Sequence, residues 1–140
     1  MAYVDTSVLV AYYCPEPLSQ KAESFLTTDA QPTISALTEV ELFSAVSKKV
    51  RTKEIRRKDA GRVAARFLAD IEKGYYTYLP VEATYYRLAR DWIGIFHLSL
   101  RTLDALHLAI SSSEGLEIVT TDPGLFKSAR ALSLKAIFLQ

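Results

Sequence analysis

The residues of this sequence that are best suited to chemistry are four acids among apolar neighbours. Asp5 is the one charged residue of "YVDTSVLVAYY" (3–13), a stretch that is otherwise almost entirely apolar, aromatic or hydroxyl-bearing. Glu41 lies in "TEVELFSAV", Asp104 in "RTLDALHLA", and Asp122 follows "LEIVTT". An unpaired buried carboxylate is costly, so such a residue is paired, hydrogen-bonded, protonated or bound to a cation.

Three of these acids also have an ordinary structural explanation. Asp5 could cap the helix predicted to follow it. Asp122 precedes Pro-Gly and could cap the next helix or turn. Asp104 lies early in a predicted helix, where a carboxylate suits the positive end of the helix dipole. Each explanation accounts for one acid, but all three must hold together if none of these acids has a chemical role.

Glu41 is the acid that is hardest to explain by local structure. Glu39 and Glu41 are two residues apart on a predicted helix, so at most one of them faces inward. Leu37 is four residues before Glu41, which places Glu41 on the same stripe as an apolar side chain. We therefore expect Glu41 to be the inward acid.

Several carboxylates in one crevice would repel each other, and a hard divalent cation would relieve that repulsion. Mg²⁺ and Mn²⁺ prefer oxygen ligands, whereas zinc prefers Cys and His. The chain has one cysteine, Cys14, and two histidines. We interpret Cys14 as a small buried hydrophobe and His97 as a residue of an amphipathic helix. His107, three positions after Asp104, could hydrogen-bond near the site, but packing is the favoured interpretation. The sequence thus favours an all-oxygen Mg²⁺ or Mn²⁺ site.

Short apolar runs alternate with helical patterns along the whole chain, which predicts βαβ units. Such units give a mostly parallel sheet with helices on both faces. We predict a three-layer α/β/α sandwich with about five strands, in one domain that spans residues 1–140. The predicted strands cover residues 2–5, 32–35, 75–80, 116–122 and 134–139.

Helical patterns fill the segments between these strands. Proline and glycine mark several of the predicted ends. The predicted helices cover residues 6–13, 15–27, 36–50, 57–74, 81–99 (one helix or a pair), 102–115 and 123–132. Apolar spacing predicts the inward residues of two of them: Leu37, Val40, Phe43 or Ser44, and Ser47 in the third helix, and Val63, Phe67 and Ile71 in the fourth.

Two of the acids end predicted strands. In open parallel sheets the functional crevice lies beyond the carboxyl ends of the strands, where the strand order switches direction. Asp5 ends the first predicted strand and Asp122 ends the fourth. If these strands are neighbours, both side chains open into one crevice.

Basic residues are concentrated in one part of the chain. The net charge is +1, but residues 48–66 hold nine of the 17 basic residues and only two acids. This stretch could form a phosphate-facing surface or a solvated, charge-rich helix pair, and the sequence favours neither.

Several classes of protein are excluded by what the sequence lacks. No apolar run approaches the roughly 20 residues that span a bilayer, and the N-terminus has no signal-peptide pattern. A single cysteine allows no intramolecular disulfide. We expect a soluble cytoplasmic protein with no membrane partner.

Four segments, in this order, resemble the motifs of PIN-domain ribonucleases, and most closely those of VapC-type toxins of toxin–antitoxin pairs. The segments are "YVDTSVLV", "ISALTEVELFSAVSKK", "LRTLDALHLA" and "IVTTD", and the resemblance extends from residue 2 to about residue 139. No single motif is specific, but four in order are. The resemblance implies catalytic and metal-binding roles for Asp5, Glu41, Asp104 and Asp122, supported by Thr6, Ser7 and Thr120.

The resemblance also implies an activity: a Mg²⁺- or Mn²⁺-dependent endoribonuclease that is held in check by a cognate antitoxin and forms a homodimer. A cation held by Asp5 and Asp104, with Asp122 and Glu41 binding it directly or through water, would acidify a water for attack on a phosphodiester. Arg101 and residues 48–66 are candidates for binding the RNA backbone. Arg101 could equally be a solvated residue at a helix start.

Aromatic residues near two of the motifs could form partner surfaces. They lie in "LVAYYCPEPL" (9–18) and "EVELFSAV" (39–46). Such surfaces could receive an antitoxin segment or a second copy of the chain. They could equally be core.

Three other classes of protein share parts of this pattern. A receiver domain needs an adjacent acidic pair near its first strand, where this chain has only Asp5, and a late lysine, where Lys135 begins rather than ends a strand. A haloacid-type phosphatase needs a second Asp where this chain has Ser7. A catalytically silent PIN-like module that binds RNA or a partner stays open. No motif encodes the RNA target.

Overall fold

The structure, a computed structural model, describes residues 1–28 and 31–140 and has a parallel β-sheet at its centre. In these residues the chain forms five strands, each followed by at least one helix except the last. The strands are β1 (Ala2–Val4), β2 (Thr33–Ser35), β3 (Thr77–Leu79), β4 (Glu117–Thr120) and β5 (Ala136–Phe138).

Seven helices connect these strands within the described residues. The helices are α1 (Thr6–Tyr13), α2 (Ser19–Thr28), α3 (Ala36–Arg51), α4 (Arg57–Glu72), α5 (Ala83–Ile93), α6 (Thr102–Ser113) and α7 (Pro123–Ala131). All five strands are parallel, so the predicted α/β class with its central sheet is confirmed.

The strand order places the first and fourth strands side by side. The order is β3-β2-β1-β4-β5, so the chain moves outward on one side of β1 and later resumes on the other side at β4. The switch point therefore lies between β1 and β4. The amide of Asp5 donates a hydrogen bond to the carbonyl of Val119 at 3.0 Å, which continues the pairing to the end of both strands.

Alternation along the central strands divides the core into two layers. Ala2, Val4 and Val119 pack with buried residues of α1 to α4. Tyr3 and Ile118 point the other way and pack with buried residues of α5 to α7. Because successive strand residues face opposite sides of a sheet, these five residues of β1 and β4 contribute to the core on both sides of the sheet.

Two helices differ from their predicted bounds by more than two residues. α2 begins at Ser19 rather than at Pro15, after a turn. α5 ends at Ile93, so His97 lies exposed in a loop and its prediction as a helix residue was wrong. The physical reason is that Gly94 ends the helix and Phe96 adopts a left-handed φ of 62°, through which a right-handed helix cannot continue.

The predicted inward face of α3 was wrong, although the helix itself was predicted correctly. Val40 is 62% exposed and Phe43 is 40% exposed. The buried residues are Thr38, Leu42 and Val46 instead, four apart along the helix. Ser35 and Thr38 form a capping box that fixes the start of α3 with Thr38 inside. That polar contact, which an apolar count does not register, sets which face is buried.

Other predictions about burial are confirmed. In α4, Phe67 is fully buried and Val63 and Ile71 pack against the same cluster. Cys14 is a buried free cysteine. Residues 9–18 mostly belong to the core, whereas the aromatic of residues 39–46, Phe43, is exposed.

No helix of the described segments, 1–28 and 31–140, combines the length and apolar character that crossing a membrane requires.

The observed face of α3 predicts opposite outcomes for two neighbouring substitutions. Leu42→Ala should lower the free energy of unfolding by about 2–5 kcal/mol because it leaves a cavity in the core. Val40→Ala should change it by less than about 0.5 kcal/mol because Val40 is already in water. Urea unfolding followed by circular dichroism measures both, and a larger loss for Val40→Ala would contradict this face.

Candidate active site

Four acids lie at the carboxyl end of the sheet, each supplied by a different part of the fold. Asp5 is the N-cap of α1, directly after β1, and Asp122 is the N-cap of α7, two residues after β4. Glu41 lies in the second turn of α3, and Asp104 lies in the first turn of α6. The capping explanations for Asp5 and Asp122 are therefore correct, and the same positions put both side chains at the switch point.

Asp5 is buried, and one of its two carboxylate oxygens is held by the protein. Oδ2 accepts hydrogen bonds from Ser7 Oγ at 2.6 Å and from Thr120 Oγ1 at 2.8 Å, and the Ser7 amide approaches it at 3.4 Å. Oδ1 lies 3.8 Å from His107 Nε2 and accepts no hydrogen bond from any described residue. One oxygen is thus fixed and the other is available.

Backbone amides orient the two hydroxyls that hold Asp5. The amide of Thr121 donates to Ser7 Oγ at 3.0 Å, and the amide of Asp122 donates to Thr120 Oγ1 at 2.9 Å. Each hydroxyl accepts from the backbone and donates to the carboxylate, so its single proton is directed at Asp5. Thr120 also connects the Asp5 carboxylate to the backbone that carries Asp122.

Glu41, like Asp5, has one carboxylate oxygen that is held by the protein and one that is available. Oε1 accepts from Thr6 Oγ1 at 2.8 Å and from His107 Nε2, whereas no described residue donates to Oε2. Burial alone would raise the pKa of Glu41, but the hydrogen bonds from His107 and Thr6 and the charge of His107 outweigh burial and lower it. Glu41 is therefore held as a carboxylate.

Asp104 and Asp122 complete the acidic group. Asp122 Oδ1 accepts from the amide of Gly124 at 2.8 Å, which begins α7. Burial, and then the charges of Asp122 and Asp5, raise the pKa of Asp104, while Arg101 partly opposes them. A carboxylate whose pKa is raised by two other carboxylates lies within their electrostatic field, so Asp104, Asp122 and Asp5 interact.

The donor set suits a hard cation that keeps part of its water. In the segments 1–28 and 31–140, no three side chains of His, Cys, Asp or Glu are close enough together to chelate a metal directly. Mg²⁺ usually binds through one or two carboxylates and keeps several waters, so it can be held without three direct protein ligands. The available oxygens of Asp5 and Glu41, with Asp104 and Asp122 nearby, suit that mode of binding.

His107 belongs to this site, although sequence reasoning favoured a packing role for it. It was interpreted as a packing residue, and it is indeed buried, with 1% of its surface exposed. Its ring nevertheless touches Tyr3 and Glu41 and faces Asp5. The signal in the sequence is its spacing, because a residue three positions after Asp104 lies on the same side of α6.

Arg101 lies on the rim of the acidic group. It is the N-cap of α6 and is 86% exposed, and its Nε lies 3.8 Å from Asp104 Oδ2. An open cleft with a volume of about 660 Å³ runs beside it and is lined by Glu41, Leu100, Leu103 and Asp104, among others. A positive side chain therefore stands at the mouth of a negative crevice.

The basic stretch 48–66 lies elsewhere. It begins near the C-terminal end of α3, seven or more residues after Glu41, which is roughly 10 Å or more along the helix. Lys49 pairs with Glu16 at 2.8 Å and with Glu54 at 3.1 Å. Among the described residues, no ion pair of this stretch reaches any of the four acids. Its placement agrees with a solvated, charge-rich helix pair.

Comparison with known proteins identifies the family. The family model of the PIN domain matches residues 2–132, nearly the whole chain. The chain belongs to the PIN domain family. No curated protein matches this PIN domain.

Solved structures share the fold of this PIN domain at low identity. FitAcB from Neisseria gonorrhoeae has a TM-score of 0.75 at 19% identity, with 98% of this chain and 96% of that chain covered. Mycobacterium tuberculosis VapC20, described as a Sarcin-Ricin loop cleaving toxin, has a TM-score of 0.72 at 17% identity and coverages of 91% and 95%. VapBC2 from Rickettsia felis, bound to a DNA fragment from its promoter, has a TM-score of 0.72 at 19% identity and covers 100% of both chains.

The charge environment of Asp104 predicts the effect of a substitution at Asp122. Asp122→Asn should lower the pKa of Asp104 because it removes a nearby negative charge, and asparagine can still cap α7. The pKa is measured by NMR titration of the Asp104 carboxyl carbon without divalent ions.

A matched control is Asp91→Asn, which removes an exposed acid of α5 and should leave the pKa of Asp104 unchanged. A pKa raised by folding means that Asp104 favours the folded state at low pH, and that this contribution is lost as pH rises through the folded-state pKa. Asp122→Asn should therefore reduce this loss of stability. An unchanged or higher pKa in Asp122→Asn would show that the two carboxylates do not interact.

Proposed function

We propose that this PIN domain is a Mg²⁺- or Mn²⁺-dependent endoribonuclease and the toxin of a toxin–antitoxin pair. The observation that carries the proposal is the arrangement of oxygens at the switch point. Asp5 and Glu41 each have one oxygen fixed by hydroxyls or His107 and one oxygen available, while Asp104 and Asp122 lie in the same electrostatic field. Structural needs alone do not require four carboxylates in one crevice.

The cation would be held by Asp5 and Asp104, with Asp122 and Glu41 binding it directly or through water. When bound, it supplies an acidified water and neutralises charge on the phosphodiester oxygens. The protein's part is to hold the ligand oxygens still, which Ser7 and Thr120 do for Asp5 and Thr6 does for Glu41. The proposed supporting role of these hydroxyls rests on those contacts.

The substrate must approach a negative crevice, so the protein needs a positive group at its edge. Arg101 is exposed there and has a single weak partner, Asp104, at 3.8 Å. We infer that Arg101 contacts a backbone phosphate of the RNA next to the bond that is cleaved. The Sarcin-Ricin loop cleaving activity named for the M. tuberculosis structure supports RNA as the substrate class.

The partner would be a protein antitoxin that meets this domain in the cytoplasm. Similarity to solved structures of the VapBC family of toxin–antitoxin systems supports such a pair. The exposed Val40 and Phe43 on α3 offer an apolar surface, and Phe43 opens onto a groove between α3 and α4 that is lined almost wholly by apolar atoms. Pairing with a second copy of the chain stays a prediction from the resemblance.

A catalytically silent PIN-like binding module is the alternative. It would explain the fold and the exposed apolar surface equally well. It would not explain why hydroxyls and His107 restrain one oxygen of Asp5 and of Glu41 while leaving the other available.

Replacement of one acid separates the enzyme from the binding module. Asp5→Asn should reduce Mg²⁺- or Mn²⁺-dependent cleavage of RNA by about 100-fold or more, because a neutral amide is a poor ligand for a hard cation. The assay follows cleavage of a panel of structured RNAs, and expression of the wild-type chain, but not of Asp5→Asn, should arrest bacterial growth.

Glu41→Gln and Glu39→Gln form a second matched pair on α3. Glu39 accepts a hydrogen bond from the Tyr78 hydroxyl on β3 instead of contacting the acidic group. The Glu39→Gln variant should therefore cleave RNA like the wild type, whereas the Glu41→Gln variant should lose cleavage. Chelation of divalent ions should abolish cleavage, and Mg²⁺ or Mn²⁺ should restore it. Equal cleavage by the wild type and Asp5→Asn, or cleavage by neither across the panel, would refute the nuclease.

Arg101 can be compared with a residue in the same structural position elsewhere. Arg101 and Arg56 are both exposed N-cap residues without a side-chain cap, on α6 and α4. In the Asp5→Asn background, Arg101→Ala should weaken RNA binding and reduce the slope of log affinity against log salt by about 0.7, which is one phosphate contact. Fluorescence anisotropy at several salt concentrations measures this slope.

Arg56→Ala is the control, because Arg56 pairs with Asp59 and lies in the basic stretch remote from the acids. Its effect on the slope should be smaller than that of Arg101→Ala. If Arg56→Ala has the larger effect, the RNA backbone follows the basic stretch rather than the rim of the crevice.

A further inference from the structure

We propose that His107 is a positioning residue that fixes the Glu41 carboxylate and so prepares the cation site. The proposal rests on the proposed function, because it assigns His107 a task in the same site. It differs from a packing role in one respect: the polar contacts of the ring, rather than its volume, are what the site requires.

The two nitrogens of the His107 ring have different partners on different elements. Nδ1 lies 2.7 Å from the hydroxyl of Tyr3 on β1, and Nε2 contacts Oε1 of Glu41 on α3. A carboxylate can only accept, so Nε2 carries a proton and donates it to Glu41. His107 thereby joins the strand that precedes Asp5 to the helix that carries Glu41.

Tyr3 is itself held in place at the start of α3. Its hydroxyl lies 2.8 Å from Ser35 Oγ and 3.3 Å from Thr38 Oγ1, the two side chains of the capping box. The Tyr3 ring is fully buried and cannot move without disturbing the core. The position of His107 Nδ1 is therefore defined by the same contacts that begin α3.

Glu41 needs such a restraint more than the other acids do. Its side chain is longer than that of an aspartate and is partly exposed, so an unrestrained Glu41 would lose rotamer entropy on binding a cation. The donors to Oε1, Thr6 Oγ1 and His107 Nε2, come from two different elements. With Oε1 held, Oε2 is the oxygen left to face a cation or its waters.

The position of His107 along α6 supports the same role. Asp104 lies three residues earlier on the same side of the helix, and His107 Nε2 is 3.8 Å from Asp5 Oδ1. One helix therefore supplies an acid of the site and the donor that orients a second acid. An apolar side chain would fill this buried position without the cost of burying an imidazole, so packing alone gives no reason for a histidine.

Two substitutions of His107 distinguish the role of Nε2 from the role of Nδ1. The amide nitrogen of glutamine occupies about the position of Nε2, so His107→Gln retains a donor to Glu41. The amide of asparagine reaches only the position of Nδ1, so His107→Asn retains the Tyr3 side and loses the donor. The measured quantity is the Mn²⁺ affinity, taken from electron paramagnetic resonance of free Mn²⁺ without RNA.

We expect His107→Asn to weaken Mn²⁺ binding by about 10- to 100-fold and His107→Gln to stay within about threefold of the wild type. A packing role predicts instead that the two variants lose affinity to a similar extent, in proportion to their loss of stability. Equal affinities in both variants, whether reduced or unchanged, would overturn the proposal.

A double-mutant cycle tests whether His107 acts through Glu41. In the Glu41→Gln background, His107→Asn should cause no further loss of Mn²⁺ affinity, because its target is already gone. Additive losses would overturn the proposal. If His107→Asn does not fold, His107→Leu replaces it in the cycle: this change keeps an apolar side chain in the buried position and removes the donor to Glu41, and it should weaken Mn²⁺ binding in the wild type but not in Glu41→Gln.

The proposed function and this inference can fail separately. If Mn²⁺ binding and RNA cleavage both require Asp5 but His107→Asn binds Mn²⁺ like the wild type, the nuclease stands and the role of His107 is wrong. If the wild type binds no Mn²⁺, both are wrong.

Discussion

Mutual repulsion among carboxylates is the constraint on which the rest of the site depends. Parallel strands that meet at a switch point bring Asp5 and Asp122 to one edge of the sheet, and α3 and α6 add Glu41 and Asp104. The raised pKa of Asp104, for which burial is the largest cause, reflects in part the cost of this gathering. Hydroxyl and imidazole donors offset part of that cost by satisfying one oxygen of Asp5 and of Glu41, and leave the remainder to be offset by a cation.

The side chains that orient the acids, directly or through His107, lie on the strands and helices of the fold and not on separate loops. Ser7 lies in the first turn of α1, Thr120 ends β4, and Tyr3 lies in the middle of β1. Each of these elements is only a few residues long, so a side chain that orients an acid is never far from the backbone that defines the sheet. Short elements thus allow a chain of 140 residues to hold a site built from four separate segments.

The sequence predicted the fold class and the location of the acids because both follow from strong local signals. Apolar strands followed by helical patterns imply a parallel sheet, and an acid such as Asp5 among apolar residues stands out against its neighbours. The inward face of α3 and the role of His107 were not predicted. The face of α3 depends on the Ser35–Thr38 capping box, and the role of His107 depends on its contacts with Tyr3 and Glu41. Hydrophobic periodicity does not register such polar contacts.

Asp5 and Asp122 each begin a helix as well as belonging to the acidic group. A lineage that abandoned catalysis would still be under selection to keep a capping side chain at both places, because loss of a cap costs about 1 kcal/mol of a small stability margin. Inactive descendants of such a domain would thus retain two of the four acids, those at the positions of Asp5 and Asp122. Glu41, which neither caps a helix nor lies in a first turn, is the position where evolutionary decay would be visible first.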